Sequence, residues 1–376
     1  MKNKYLEKEK IKLSYYKTVN KIIIDIGSEA IMTEKIRVLV VDDSAFMRRY
    51  ISDIISKQPD MVVIDWAGDG ESAIKKIISL KPDVITLDVE MPVKNGLEVL
   101  REIKKISTAK VIMLSGLTTE GSVTTVEALS IGAFDFVEKP TGISFNRIYD
   151  MKRDLLTKIR HAYKVKNKII KNNFEKVQHA DKILKNAKGQ IEAIVLGAST
   201  GGPKVLYDVI TSLPHDMNVP IFVVQHMPPG FTKAFAERLD KQANLKVVEA
   251  RHEEIIRPGV VYIAPGGFHM IVTENKIVLD TSAPVHGVRP AVDKLFISAA
   301  KTYKEKTLGC VFTGMGRDGA EGVKAIKFKG GFTIAQDEAT SVIYGMPKAA
   351  YETGCIDVVL PDHEISKEII RLIRSK

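Results

Sequence analysis

The chain contains two stretches in which short apolar runs alternate with amphipathic ones, and this alternation restricts the fold more than any other feature. The first stretch begins at Ile36 and holds five runs rich in Val, Ile and Leu. In order, these runs are IRVLVV, MVVIDWA, DVITLDV, AKVIMLS and AFDFVEKP. Short β-rich runs joined by amphipathic helices favour a parallel sheet covered on both faces. The sequence therefore predicts a compact five-stranded α/β domain.

A second α/β block begins at IEAIVLG and continues to the end of the sequence. Its further strand-like runs are PIFVVQH from residue 220, VVYIAP from 260, IVLD from 277, LGCVFTG from 308, FTIAQD from 332 and IDVVL from 356. We expect a mostly parallel sheet here too, because 376 residues suffice for two such domains. The predicted organisation is a leader over 1–33, a domain over 34–147, a basic linker over 148–190 and a domain over 191–376.

The net charge of +10 is concentrated outside the two predicted domains. Residues 1–33 carry +3 and residues 148–190 carry +8, whereas 34–147 and 191–376 carry −2 and +1. Neither domain has the basic surface expected of a protein that binds a nucleic-acid groove. We therefore interpret the excess charge as belonging to solvated segments, with 148–190 as an extended or partly helical tether.

The leader gives no sign of a membrane anchor or a secretory signal. Its apolar run, KIIIDIG from Lys21, is too short for either and lacks a cleavage pattern. Met32 directly precedes the first domain, so we expect translation to start near it and the leader to be dispensable. Cys310 and Cys355 lie in apolar runs and are expected to be reduced, which favours a cytoplasmic location without membrane insertion.

Polar residues of the first block follow its strands, at the edge where open α/β sheets bind ligands. Asp42 and Asp43 follow the first strand, Asp88 the third, and Ser115 and Lys139 the fourth and fifth. Crowded carboxylates repel one another unless a cation neutralises them, and Mg²⁺ prefers such oxygen ligands. A carboxylate beside Mg²⁺ and a lysine is suited to accept a phosphoryl group. Each residue alone would also suit a helix N-cap or a turn.

This ordered set, DD…D…S…K-P over 36–147, resembles the response-regulator receiver domain, a doubly wound, flavodoxin-like fold. The resemblance implies that Asp88 is the phosphorylated aspartate. The implied Mg²⁺ ligands are Asp43, Asp88 and the backbone carbonyl of Glu90, with Asp42 in support. The implied switch residues are Ser115, Phe136 and Lys139.

The segment GASTGGP from Gly197 joins a strand to a helix and allows two interpretations. A phosphate-binding loop would need GxxxxGK[ST] or GxGxxG, and neither spacing is present. The alternative is a GxSxG corner, which would hold Ser199 among the free N–H groups of a helix. Because glycine-serine turns are common, this alternative requires a base and an acid elsewhere in the chain.

His226 and Asp318 are the candidates for that base and acid. His226 follows the strand PIFVVQ and Asp318 follows LGCVF, so both are expected at the same sheet edge as Ser199. His269 and His286 stay possible pocket residues, and Asp318 alone would suit an N-cap. Three strand ends that supply Ser, His and Asp predict a serine hydrolase, with a chain order unlike that of the α/β-hydrolase fold.

Four motifs, GASTGGP, QHMPPGFT, TGMGRDGA and QDEATSVIYGMPKAA, together resemble the chemotaxis protein-glutamate methylesterase family, CheB, over 36–376. The resemblance implies a triad of Ser199, His226 and Asp318 under the control of the receiver. The implied reactions are demethylation of glutamate methyl esters on chemotaxis receptors, with release of methanol, and deamidation of receptor glutamines. It implies Mg²⁺ in the receiver, no cofactor for hydrolysis, and a chemotaxis histidine kinase as phosphodonor.

Three further expectations concern the transition state, regulation and rival functions. We expect the backbone N–H of Thr200 or Met315 to form the oxyanion hole. The resemblance also implies that the unmodified receiver covers the active site until Asp88 is phosphorylated. A DNA-binding response regulator would need a small basic module after the linker, whereas the second block is large and nearly neutral. A scaffold with an inactive hydrolase domain would differ only in releasing no methanol.

Overall fold

A computed structural model describes residues 34–116, 118–140, 145–168 and 191–374. The predicted leader, with Met32, lies outside these residues, as does 169–190 of the predicted linker. In the described part of the chain no helix is long and apolar enough to cross a bilayer.

The N-terminal domain is the predicted parallel sheet with helices on both faces. Its strands are β1 (Ile36–Val41), β2 (Met61–Ala67), β3 (Val84–Asp88), β4 (Lys110–Ser115) and β5 (Asp135–Glu138). Its helices are α1 (Ala45–Ser56), α2 (Gly70–Leu80), α3 (Gly96–Ile106), α4 (Thr119–Ile131) and α5 (Phe145–Lys168). All neighbouring strands are parallel, in the order β2-β1-β3-β4-β5.

Strand β1 explains why both faces of this sheet are covered. Val38 and Val40 pack into an apolar cluster that includes residues of α1 and α5. Leu39 and Val41 point the other way and join residues of α2 and α3. Because side chains alternate across a strand, the continuous apolar run IRVLVV buries both sets.

Residues 148–168, which the sequence predicts as the start of an extended or partly helical linker, belong to helix α5, and this helix packs against the N-terminal domain. Leu155, Ile159 and Ala162 lie on one helical face and are buried against the N-terminal sheet. Arg160 is also bonded, with its Nε 2.7 Å from a carboxylate oxygen of Asp60. The many charged residues of this stretch belong to the other faces of the helix, and in the sequence they obscure its apolar spacing.

The C-terminal domain contains a second, seven-stranded parallel sheet. Its strands are β6 (Ala193–Ala198), β7 (Ile221–Gln225), β8 (Lys246–Glu249), β10 (Val260–Ile263), β13 (Thr307–Val311), β14 (Phe332–Gln336) and β15 (Val358–Leu360). Its helices are α6 (Gly202–Thr211), α7 (Phe231–Asp240), α8 (Val292–Tyr303), α9 (Ala320–Phe328), α10 (Met346–Tyr351) and α11 (Asp362–Arg374). The strand order is β15-β14-β13-β6-β7-β10-β8, which places β6 at the centre.

A third, antiparallel sheet lies apart from this one. It consists of β9 (Glu254–Ile255), β11 (His269–Val272) and β12 (Lys276–Asp280), in the order β11-β12-β9. The sequence predicts the IVLD strand but not its place in a separate sheet. Strands β8, β9 and β11 are missed, because runs as short as KVVE, EI and HMIV carry too little periodicity on their own. Strands β5, β10 and β15 are equally short, but each lies in a longer apolar run of the sequence.

The two domains pack directly against each other. Helix α4 contacts α6 and α7, and Arg238 Nε donates a hydrogen bond to Ser130 Oγ at 2.9 Å. The rings of Phe136 and Phe231 stack with their centroids 4.5 Å apart. One apolar cluster includes residues of both domains, so the interface is continuous with the cores on either side.

Candidate active site

Ser199, His226 and Asp318 all lie at the carboxyl edge of the seven-stranded sheet. Ser199 directly follows β6, which pairs with β7 on one side and β13 on the other. His226 directly follows β7, and its N–H donates to the carbonyl of Ala198 at 3.1 Å. Asp318 lies between β13 and α9. The three predicted side chains therefore line one cleft.

The His226 imidazole and the Asp318 carboxylate are hydrogen bonded, with 2.8 Å between Nε2 and Oδ2. Asp318 is 2% exposed. Its carboxylate also accepts the N–H groups of Val292 at 2.7 Å and Asp293 at 2.9 Å, in the first turn of α8. Burial acts to raise the pKa of Asp318, but the hydrogen bonds outweigh it and hold that pKa below its usual value. Asp318 is thus an ionised anchor for the imidazole.

The backbone holds Ser199, whose N–H donates to the carbonyl of Thr313 at 3.0 Å. Within the described residues, its hydroxyl forms no hydrogen bond with His226. Because Asp318 occupies Nε2, Nδ1 is the ring nitrogen left for the serine. Catalytic hydrogen bonds often tighten only when substrate binds, so the absence of this bond does not exclude the pairing.

Two glycines allow the backbone to crowd the serine. Gly201 precedes helix α6 with a φ of +80°, a left-handed conformation that glycine adopts without strain. A Cβ on Gly314 would lie 2.7 Å from the Cβ of Ser199. Any side chain at position 314 would therefore displace the serine or the loop beside it.

Thr200 and Met315 line the same cleft as Ser199. Among the described residues, neither of their backbone N–H groups donates a hydrogen bond to another residue. Both N–H groups are therefore free to bind an oxygen atom in the cleft, which is the role the sequence predicts for one of them.

Residues of both domains form the walls of this cleft, whose volume is about 770 Å³. The C-terminal domain contributes the predicted triad together with Thr200, Met315 and Arg317. The N-terminal domain contributes Asp135, Phe136, Glu138, Asp154 and Lys158, among others. The N-terminal domain thus forms part of the wall of the cleft that contains Ser199.

Asp135 is a cleft residue that no sequence motif marks. One of its carboxylate oxygens accepts a hydrogen bond from the Thr200 hydroxyl, and the other lies 3.4 Å from Lys158 Nζ. Asp135 and Thr200 are only 7% and 4% exposed. The sole signal for Asp135 in the sequence is a charged residue inside the apolar run AFDFVE, which does not reveal its distant partner.

The two further histidine candidates differ in position. His286 lines the cleft, and its Nε2 lies 3.2 Å from a carboxylate oxygen of Asp293. His269 is fully buried, where Nδ1 accepts the N–H of Ala291 and Nε2 donates to the carbonyl of Ala283. His269 therefore supports the backbone rather than lining the cleft.

A second cluster of predicted residues lies at the carboxyl edge of the N-terminal sheet. One oxygen each from Asp42, Asp43 and Asp88 lie within 4.8 Å of one another. Lys139 Nζ is 2.7 Å from Asp88 and 2.9 Å from Asp42. Burial raises the pKa of Asp88 to about 6, although Lys139 partly opposes the shift. Three carboxylates and one lysine leave an excess of negatively charged oxygen ligands, which fits Mg²⁺. The backbone N–H of Glu90 donates to a carboxylate oxygen of Asp88 at 3.3 Å, so Glu90 borders this cluster.

The predicted switch residues connect this cluster to the domain interface. Ser115 is buried, and its hydroxyl lies 3.1 Å from the carbonyl oxygen of Gly116 and 3.3 Å from that of Gly121, in the first turn of α4. Phe136 is also buried and stacks on Phe231, the first residue of α7. Both residues therefore adjoin elements that contact the C-terminal domain.

Family models match both domains. The model described as CheB methylesterase matches residues 194–369, and the response regulator receiver domain model matches residues 38–150. The protein-glutamate methylesterase/protein-glutamine glutaminase of Clostridium acetobutylicum is 48% identical over 351 residues, which cover 91% of this chain and 99% of the relative. The protein of that name from Thermotoga maritima is 48% identical over 347 residues, which cover 91% and 100%.

A solved structure also resembles part of the chain. The crystal structure of the Thermotoga maritima CheB methylesterase catalytic domain is 47% identical, with a TM-score of 0.48. The match covers 48% of this chain and 98% of that domain.

Proposed function

Since the chain belongs to the CheB methylesterase family, we propose that it is a phosphorylation-regulated serine hydrolase acting on chemotaxis receptors. It removes methyl groups from glutamate methyl esters as methanol, and it deamidates receptor glutamines to glutamate. The observation that carries the proposal is the common position of Ser199, His226 and Asp318, which follow three adjacent parallel strands and line one cleft.

Asp318 and His226 activate the serine in this mechanism. The ionised Asp318 carboxylate holds Nε2 of His226, so that Nδ1 accepts the proton of the Ser199 hydroxyl as the oxygen attacks. Attack on the γ-carbonyl of the glutamyl ester gives a tetrahedral oxyanion. The imidazolium then returns the proton to the methoxy group, which leaves as methanol.

Water completes the cycle by the same route. His226 takes a proton from a water molecule as the water oxygen attacks the acyl carbon. The imidazolium then returns a proton to Ser199 Oγ as the bond between this oxygen and the acyl carbon breaks, which releases the glutamate side chain. The N–H groups of Thr200 and Met315 are proposed to bind the oxyanion, because both border Ser199 and have no other described acceptor. With a glutamine substrate the leaving group is ammonia.

The receiver domain controls access to this chemistry. With the domains packed together, Asp135 and Phe136 wall the cleft and hold Thr200 and Phe231. A phosphoryl group on Asp88 adds nearly two negative charges and new acceptors beside Lys139, which would draw the Ser115 hydroxyl away from α4. Movement of Ser115 and Phe136 then loosens the interface.

The acidic cluster is proposed to hold Mg²⁺ through Asp42, Asp43, Asp88 and the carbonyl of Glu90. Bound Mg²⁺ would neutralise the charge of the incoming phosphoryl group. Asp88 is the phosphoryl acceptor, and the phosphodonor is a chemotaxis histidine kinase. We further propose that the protein acts in the cytoplasm and that hydrolysis at Ser199 uses no cofactor.

The test is methanol release from membranes that carry methylated receptors. Ser199→Ala should lower turnover on the order of 10⁶-fold, to background, without changing the melting temperature. A phosphodonor should stimulate the wild type but not Asp88→Ala. Near-normal turnover by folded Ser199→Ala would remove the assignment of the nucleophile, and no methanol release by the wild type would leave the scaffold function.

A further inference from the structure

We propose that Asp293 is a positioning residue for this reaction, which holds the loop that carries Asp318. The inference rests on the proposed function, because it concerns the same triad. Asp293 is the second residue of α8, in the segment RPAVDKLF, and it is 4% exposed. The catalytic mechanism described above does not use its carboxylate.

The Asp293 carboxylate accepts hydrogen bonds from the backbone that follows Asp318 in the chain. Its Oδ1 accepts the N–H of Gly319 at 2.9 Å and the N–H of Gly322 at 2.7 Å. Gly319 directly follows Asp318 and is the N-cap of α9, and Gly322 lies in the first turn of that helix. Glycine at 319 supplies no side chain to cap the helix, so Asp293 supplies the missing acceptor from a neighbouring element.

The contacts between α8 and α9 are reciprocal. Asp318, just before α9, accepts the first two N–H groups of α8, those of Val292 and Asp293. Asp293, inside α8, accepts the N–H groups at the start of α9. Each carboxylate therefore caps the other's helix, and four backbone hydrogen bonds fix the two acids relative to each other.

The electrostatics of the pair support a functional origin. One carboxylate oxygen of Asp293, one of Asp318 and one imidazole nitrogen of His286 lie within 4.8 Å of one another, although both acids are buried. Burial, with the nearby Asp318 charge, raises the pKa of Asp293, while the loop N–H groups oppose the shift. Two buried carboxylates this close are unfavourable for stability alone, and such pairs concentrate at functional sites.

The consequence for catalysis follows from the position of the second acid. The loop from Thr313 to Asp318 carries both the carboxylate that binds His226 and the N–H of Met315. Without Asp293, the N–H groups of Gly319 and Gly322 lose their acceptor and the loop can shift. A displacement of about 1 Å can lower turnover on the order of 100-fold. Substrate binding is affected less, because Asp293 is buried and is not among the described residues that line the cleft.

The experiment measures kcat and KM for methanol release by the full-length protein, with a phosphodonor present, for three variants of Asp293. Asp293→Ala should lower kcat on the order of 10- to 100-fold with KM within about twofold of wild type. Asp293→Asn keeps an oxygen that can accept both N–H groups and should restore kcat to within about fivefold. Asp293→Ser keeps a polar group, but its side chain is too short to accept both N–H groups, so its kcat should fall as expected for Asp293→Ala. This variant provides the test if Asp293→Ala does not fold.

Asp357→Ala is the matched control. Asp357 is likewise nearly buried and accepts the backbone N–H of Thr333, but it lies at the opposite edge of the sheet. This variant should lose thermal stability to a similar extent while kcat stays within twofold of wild type. Equal kcat losses in Asp293→Ala and Asp357→Ala would reduce Asp293 to a general stability role.

The outcomes separate the inference from the function on which it rests. The role of Asp293 alone would be refuted by two results together. The activity of the wild type would depend on Ser199, and folded Asp293→Ala and Asp293→Ser would both have a normal kcat. An Asn variant as impaired as Ala would also refute it, since the hydrogen bonds to the loop would then not be the cause. If Ser199→Ala keeps its activity, the proposed function fails whatever Asp293 does.

Discussion

Replacing Asp135 with alanine should raise the esterase activity of the unphosphorylated protein. The Thr200 hydroxyl donates to the Asp135 carboxylate across the domain interface, and both residues are almost fully buried. In the packed state the variant leaves this hydroxyl without its acceptor, whereas in the separated state water can replace the acceptor. The substitution therefore destabilises the packed state relative to the open one.

The size of the effect follows from the type of hydrogen bond. A bond to a charged group contributes about 1.5–3 kcal/mol, and every 1.4 kcal/mol is a tenfold change in an equilibrium. The open fraction should therefore rise about 10- to 100-fold while it is small. Lys158 keeps its ion pair with Asp154, at 2.9 Å, so the N-terminal domain itself should stay folded.

The assay compares methanol release with and without a phosphodonor. Asp135→Ala should show a higher unstimulated rate, a smaller stimulation and an unchanged maximum, because no residue of the triad is altered. Asp60→Ala, which removes a receiver carboxylate bonded to Arg160 outside the cleft, should match wild type. An unstimulated rate within twofold of wild type, in a preparation that a phosphodonor stimulates, would refute this reasoning.

Two further predictions concern the triad acid and the metal. The pKa of Asp318 is held below its usual value of 3.8, so its ionised form stabilises the fold above that pH, and this stability is lost as the pH falls through the lower folded pKa. Asp318→Asn should therefore have a lower melting temperature than wild type at pH 7, with a difference that shrinks below about pH 4; equal melting temperatures at pH 7 would contradict this. A chelator of divalent cations should abolish stimulation by the phosphodonor and leave the unstimulated rate unchanged, because the acidic cluster lies in the receiver. Loss of the unstimulated rate as well would indicate a metal in the hydrolytic step.

The parallel sheets and the shared cleft of the triad could be predicted because both depend on local patterns. Apolar runs mark the strands, and a polar residue that follows a strand must lie at the carboxyl edge of a parallel sheet. Ser199, His226 and Asp318 each directly follow or lie shortly after such a run, so their common edge could be predicted, whereas the strand order β7-β6-β13 that brings them together is seen only in the structure. The motifs predict a serine hydrolase, and the family resemblance adds the substrate.

The remaining features depend on pairs that are far apart in the chain. Asp135 and Thr200 are 65 positions apart, and no periodicity connects them. Asp293 looks like an ordinary acidic residue in the first turn of a helix until Gly319 and Gly322 are seen beside it. The charged residues of helix α5 mask its apolar periodicity in the sequence, although the apolar residues of its buried face are regularly spaced. Packing between elements, rather than the pattern within one, determines each of these contacts.

Strand β5 is only four residues long, yet residues at its two ends contact two different sites, the cleft that contains Ser199 and the acidic cluster that contains Asp88. Asp135 at its start contacts the ester cleft, and Lys139, directly after its end, contacts the acidic cluster. A strand turns alternate side chains to opposite faces, so one inserted or deleted residue would exchange the orientations of Asp135 and Phe136. Within this family of two-domain enzymes, the segment between the two sites should accordingly accept changes of side chain far more readily than changes of length.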